Sequence, residues 1–188
     1  MAQSDENVLI RGFHGKVGNQ VVLRQWNGKT ILSNVPKKHK QGPEGKQLAS
    51  CNRFKMGMKW AAKALKDPLL YAAYKARITG LQNVVNAALA DYMKPPVVTG
   101  VNSSLYHGRA GDTILVTATD NFHVKEVSLV ICTPDGEVLE TGPCHADQSG
   151  TYWQYTAVNP VENISGIMIT AIAKDTPGHT GEMTVTVL

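Results

Sequence analysis

Two short polar clusters in the second half of the chain hold the residue types most able to do chemistry. Asp120, Asn121 and His123 follow one candidate strand, and Asp175 and His179 precede another. Carboxylates and imidazoles together suit a cation, with oxygen ligands for Ca²⁺ or ring nitrogens for a transition metal. Asp120, His123, Asp175 and His179 are thus the candidate metal ligands. The same residue types at strand ends also bond their own backbone in turns. A calcium loop concentrates more oxygen ligands than these, so the turn reading is the simpler one. Other familiar spacings are missing: no G-x-S-x-G elbow, H-E-x-x-H helix or metal-spaced Cys/His set occurs. Gly12, Gly15 and Gly18 form a G-x-x-G-x-x-G run ahead of a candidate hairpin. A dinucleotide cradle needs G-x-G-x-x-G ahead of a helix, so this run reads as a tight loop. No catalytic set can be assembled and no cofactor is implied, so the chain reads as a non-enzyme.

A second group of residues invites an anion. Arg11, Lys16, Arg24 and Lys29 lie on or near the hairpin, and Lys37, Lys38, Lys40 and Lys46 follow it. With Trp26 at the hairpin tip, they suit a phosphate backbone and a stacked base. They equally suit an acidic protein partner, and no helix-turn-helix, finger or RNA-recognition signature accompanies them. Residues 1–96 carry sixteen Lys/Arg against five Asp/Glu, and residues 97–188 carry three against ten. Charges of +11 and −7 therefore underlie the net +4. A basic region seeks an anionic face, and the acidic half of a neighbouring copy supplies one.

The elements that must position these groups follow from periodicity. VVLRQW, NGK and TILSNV predict a β-hairpin, with Asn27-Gly28 in a type I′ turn and Val22, Arg24 and Trp26 on one face. A helix is expected from near Glu44, with Leu48, Cys51, Phe54, Met58, Ala61 and Leu65 as its apolar stripe. Asp67-Pro68 starts a second helix that Gly80 caps. LQNVVNAALADYM predicts a third, with Leu81, Val84, Val85, Ala88, Leu89 and Tyr92 on one face, stopped by Pro95-Pro96.

Beyond Pro96 the period changes to two. Strands are expected over 97–102, 112–119, 125–132, 137–142, 151–158, 165–173 and 182–188, with Trp153 and Tyr155 as the largest core side chains and Glu126, Glu137 and Glu140 on solvated faces. The fold class is therefore α+β in two domains. Residues 1–95 form a basic hairpin with two or three helices. Residues 96–188 form a seven-stranded immunoglobulin-like antiparallel β-sandwich.

The stretches GFHGKVGNQVVLRQWNGKTILSNVPKK, NRFKMGMKWAAKAL and ALADYMKPPVV, with GRAGDTILVTATDNFHVKEVSLVICTPDGEVLETG, resemble an uncharacterised bacterial family. Its members look like a basic hairpin-helix region fused to a bacterial immunoglobulin-like sandwich. The resemblance covers nearly the whole chain and implies that fold, but it brings no activity or catalytic residue. Such sandwiches serve as spacers, adhesion modules or particle decorations.

The first 20 residues lack the apolar core of a secretory signal, and no apolar run reaches the length of a membrane span. Cys51, Cys132 and Cys144 form no CxxC pair and fit a reducing compartment, with a Cys132–Cys144 bridge as the alternative. Synthesis in the cytoplasm without a signal peptide is expected, with release in a particle as the setting for such a sandwich. The expected function is structural: assembly through the basic half, as a homo-oligomer or with another protein, and display of the sandwich without membrane insertion. Nucleic-acid binding by the basic half is the alternative.

Overall fold

A computed structural model describes residues 2–4, 12–18, 20–37, 42–80 and 82–187. The chain divides into two compact units, residues 1–44 and 45–188, so the composition break at Pro95-Pro96 falls inside the second. Helices and antiparallel sheets make it an α+β protein.

The first unit is a four-stranded antiparallel sheet of β1 (Ala2–Ser4), β2 (Gly15–Val17), β3 (Val21–Trp26) and β4 (Lys29–Asn34), in the order β1-β4-β3-β2. Its central hairpin is the one the sequence predicts. Asn27 and Gly28 have φ of 49° and 77°, as a type I′ turn requires, and Trp26 pairs with Lys29. The glycine run is not wholly a loop, because Gly15 to Val17 pair with Leu23 to Val21 as an added strand.

The second unit opens with α1 (Gly45–Lys66), α2 (Pro68–Arg77) and α3 (Val84–Met93). Asp67 caps α2, its side chain accepting from the backbone N–H of Leu69 and Leu70 at 2.9 and 3.2 Å. That helix ends at Ile78 rather than at Gly80. Asn83 caps α3 by accepting from Asn86 N–H at 2.8 Å, while Leu81 lies outside the described residues.

The expected α1 stripe is corrected by the packing. Gly57, Ala61 and Ala64 are the buried positions, and Leu48, Phe54, Met58 and Leu65 are exposed. Close approach to α3 selects the small residues. A Cβ on Gly57 would lie 2.7 Å from Leu89 Cδ1 and 3.2 Å from Tyr92 Cδ1. Hydropathy ranks the larger side chains higher, so the expected stripe holds at Ala61, and partly at Cys51, but not at its large residues.

Eight strands follow: β5 (Val97–Asn102), β6 (Thr113–Thr119), β7 (Val124–Cys132), β8 (Val138–Pro143), β9 (His145–Ala146), β10 (Tyr152–Thr156), β11 (Met168–Asp175) and β12 (Thr180–Thr186). The two-residue β9 is the one the alternation could not reveal. They form two four-stranded antiparallel sheets, ordered β5-β6-β10-β9 and β12-β11-β7-β8. Inward residues of both sheets share one core, including Ile114, Val116, Leu129, Ile131, Ile169 and Ala171, with Trp153 and Tyr155 buried among them. Cys132 and Cys144 are free thiols, and burial pushes that of Cys144 up to about 12. No described helix is long and apolar enough to cross a membrane.

Candidate interaction site

In the first unit, strand register decides which side chains share a face. Residues directly opposite in an antiparallel pair project to the same side. Lys16 pairs with Val22, Arg24 with Ile31, and Trp26 with Lys29. Since Val22, Arg24 and Trp26 alternate along β3, four of the five expected hairpin residues, Lys16, Arg24, Trp26 and Lys29, lie on one face. The Trp26 indole is 67% exposed, and Lys16 and Arg24 are exposed beside it. Cations and an open indole on one sheet face suit an extended anion carrying flat rings, or an acidic protein surface. Lys37 is exposed just after β4. Arg11, Lys38 and Lys40 lie outside the described residues.

In the second unit, α1 carries Lys46, exposed near its start, and a surface the sequence analysis assigned to the core. Phe54, Met58 and Leu65 stand 49%, 39% and 48% exposed, and follow one another at helical spacing. Half-buried Cys51 extends the row. Lys55, Lys59 and Lys66 border it on the side away from the Gly57 face. Lys63 instead lies over the Trp60 ring, 5.1 Å from its centroid.

The four candidate metal ligands are brought to one end of the sandwich, where Asp120 and Asp175 both act electrostatically on Asp91 of α3. Their oxygens serve the local backbone. Asp120 Oδ2 accepts from Phe122 N–H and His123 N–H, both at 2.8 Å. Asp175 Oδ1 accepts from Gly178 and His179 N–H at 2.7 and 2.6 Å, and its Oδ2 lies 3.1 Å from His179 Nδ1. His179 meets Tyr92 edge-on with ring centroids 4.5 Å apart, and His123 is exposed. Among the described residues no three His, Cys, Asp or Glu side chains are grouped to hold a metal ion. The cation expectation gives way to a turn role, because each carboxylate meets backbone N–H donors in its own loop.

That end of the sandwich is where the helices join it. Phe122 stacks on Tyr74 with centroids 4.2 Å apart, and the Arg77 guanidinium donates to the Phe122 carbonyl and lies over its ring. Two buried carboxyls escaped the sequence analysis. Glu140, expected on a solvated face, is buried and accepts from Tyr155 Oη, Val158 N–H and Asn159 N–H. Asp91 is fully buried on α3. The available signal was its position, seven residues after Val84 and three after Ala88, on the buried stripe of that helix.

No protein-family model matches the chain, and no curated protein matches it. Among solved structures, an engineered protein whose crystal structure extends to 1.98 Å is similar over 58% of this chain and 22% of its own. The identity is 19% and the TM-score 0.34, too slight a likeness to bear on fold or function.

Proposed function

We propose that this chain is a non-enzymatic interaction protein that assembles through its basic N-terminal half and displays the sandwich as an immunoglobulin-like domain. The order β5-β6-β10-β9 against β12-β11-β7-β8 supports the second part. It follows the ABED and GFC arrangement, with β8 added beside the third strand. The observation that carries assembly is the row Phe54, Met58 and Leu65, left open on α1 and bordered by lysines. Large apolar side chains in the open mark a surface that another protein covers.

The bordering charge selects an acidic occupant, and the −7 half of a second copy meets that need. Two lysine-bordered rows repel each other, so the contact joins unlike surfaces head to tail and builds a ring or a filament. A particle component arranged in this way agrees with the family resemblance noted above.

Sedimentation velocity of the full chain across a salt series tests this reading. Oligomers at low ionic strength that dissociate as salt rises, and that are lost in a Phe54→Glu/Leu65→Glu double variant, are expected. A monomer at every salt and protein concentration contradicts it.

Trp26 lying on the same face as Lys16, Arg24 and Lys29 favours a second reading, in which this face grips single-stranded nucleic acid. Fluorescence anisotropy with single-stranded DNA should then show affinity falling log-linearly with salt and weakened by Trp26→Ala. No binding at low salt removes this reading.

A further inference from the structure

At the joint between the helices and the sandwich, a chain of hydrogen bonds has a gap that one proton fills. Trp60 Nε1–H of α1 donates to Tyr74 Oη of α2 at 2.9 Å, and Tyr74 Oη–H donates to Asp91 Oδ2 of α3 at 2.5 Å. On the other side, Phe122 and His123 N–H donate to Asp120 Oδ2. The remaining oxygens, Asp91 Oδ1 and Asp120 Oδ1, are both buried without a donor. The two side chains stand within hydrogen-bonding reach of each other. Two ionised carboxylates cannot bond, and two buried acceptors without donors are costly. A single proton on Asp91 Oδ1, donated to Asp120 Oδ1, satisfies both atoms and completes a run of donors from α1 to the β6–β7 loop.

We propose that Asp91 and Asp120 share this proton, and that it latches the three-helix layer onto the end of the sandwich. The surroundings support it. Tyr74 and Arg77 face the joint from α2, Trp60 from α1 and Tyr92 from α3. Asp175 and His179 face it from the turn between β11 and β12. Arg53 of α1 and Lys94 line a cavity with Asp120, the Arg53 guanidinium donating to the Met93 carbonyl. Arg77 is engaged with the Phe122 carbonyl and ring, and His179 with Asp175 and Tyr92. The charges that act most strongly on Asp91 are those of Asp120 and Asp175, both negative. Burial first, then these carboxylates, push the Asp91 carboxyl up to about 7, although the Tyr74 hydrogen bond pulls the other way. The proton is therefore held at mildly acidic pH and lost near neutrality.

The test is unfolding of the full chain by denaturant across pH, in wild type, Asp91→Asn and Asp120→Asn. An asparagine at either position carries a permanent N–H into the gap and reproduces the protonated latch. A group bound more tightly to its proton when folded makes stability fall as pH rises between the unfolded and folded pKa. The ratio of folded to unfolded wild type, relative to either asparagine variant, should drop about a thousandfold between roughly pH 4 and pH 7. A difference that stays flat across that window overturns the shared proton. If one variant fails to fold, the other carries the test. Hydrogen exchange then reads the latch itself. Above neutral pH, amides of residues 45–93 should lose protection in wild type relative to Asp91→Asn, while the sandwich keeps its own. Equal loss in both regions overturns the latch.

Discussion

Asp91 in the helical layer and Glu140 in the sandwich are both buried, yet their neighbours drive them in opposite directions. Glu140, 8% exposed, is met by three donors, Tyr155 Oη at 2.5 Å, Val158 N–H at 2.8 Å and Asn159 N–H at 3.0 Å. Burial raises its pKa, but these bonds to the ionised form outweigh that and hold it below the usual carboxylate range. Asp91, fully buried, receives one donor and faces two carboxylates, so burial prevails and it is held neutral under mild acid. Burial alone does not decide a charge state; the number of donors aimed at the oxygens does.

The difference extends to the regions around them. Among the described residues, eighteen buried apolar ones form the sandwich core, whereas six form the cluster under the helical layer, three of them alanines and one, Phe122, from the β6–β7 loop. The sandwich is held by apolar burial, with its buried carboxylates Glu140 and Asp175 each anchored by several donors. The helical layer relies on close contact between small residues and on a polar chain.

Breaking each region in turn sharpens this contrast. The largest effect is expected from Trp153→Ala, which empties a large core site and should cost about 3–5 kcal/mol by chemical denaturation. Glu140→Gln exchanges an acceptor oxygen for a donor where N–H and O–H groups already point. It should cost about 1–3 kcal/mol at neutral pH. Because the Glu140 pKa is depressed on folding, its contribution is present above about pH 4.3 and is lost as pH falls through the folded value. Acid should therefore close the gap between Glu140→Gln and wild type, the opposite sense to Asp91. Tyr74→Phe removes the hydroxyl between Trp60 and Asp91 and should cost about 1–2 kcal/mol, read as loss of amide protection confined to residues 45–93. Gly57→Ala should be the mildest. The new Cβ must displace the end of Leu89 and press on the Tyr92 ring, and the helix-propensity gain of about 1 kcal/mol offsets part of that cost, so the midpoint should fall only slightly.

The sequence made the strands legible because alternation in 97–188 is strong and turn residues separate the runs. Trp153 and Tyr155 lie on the buried face that alternation assigns them. The Asn27-Gly28 hairpin and the Asp67 cap were equally readable, since each rests on local chemistry alone. Hydropathy misled on part of α1, where Ala61 is buried as expected but the tight contact with α3 favours Gly57 and Ala64 over Phe54 and Leu65. The role of Asp91 was hidden for a related reason. An acid on an apolar stripe has meaning only once Tyr74 and Asp120, distant in sequence, are placed around it. The basic residues were visible as charge, but only strand register puts Lys16 and Lys29 on the face of Trp26.

The contrast between the two carboxyls is most directly tested by carboxyl carbon NMR on one sample of the full chain titrated through acid and neutral pH. The Glu140 resonance should titrate below the ordinary glutamate range and that of Asp91 at about 7. An Asp91 resonance that titrates with the ordinary carboxylates would show that no proton is held at the joint, and would contradict the account.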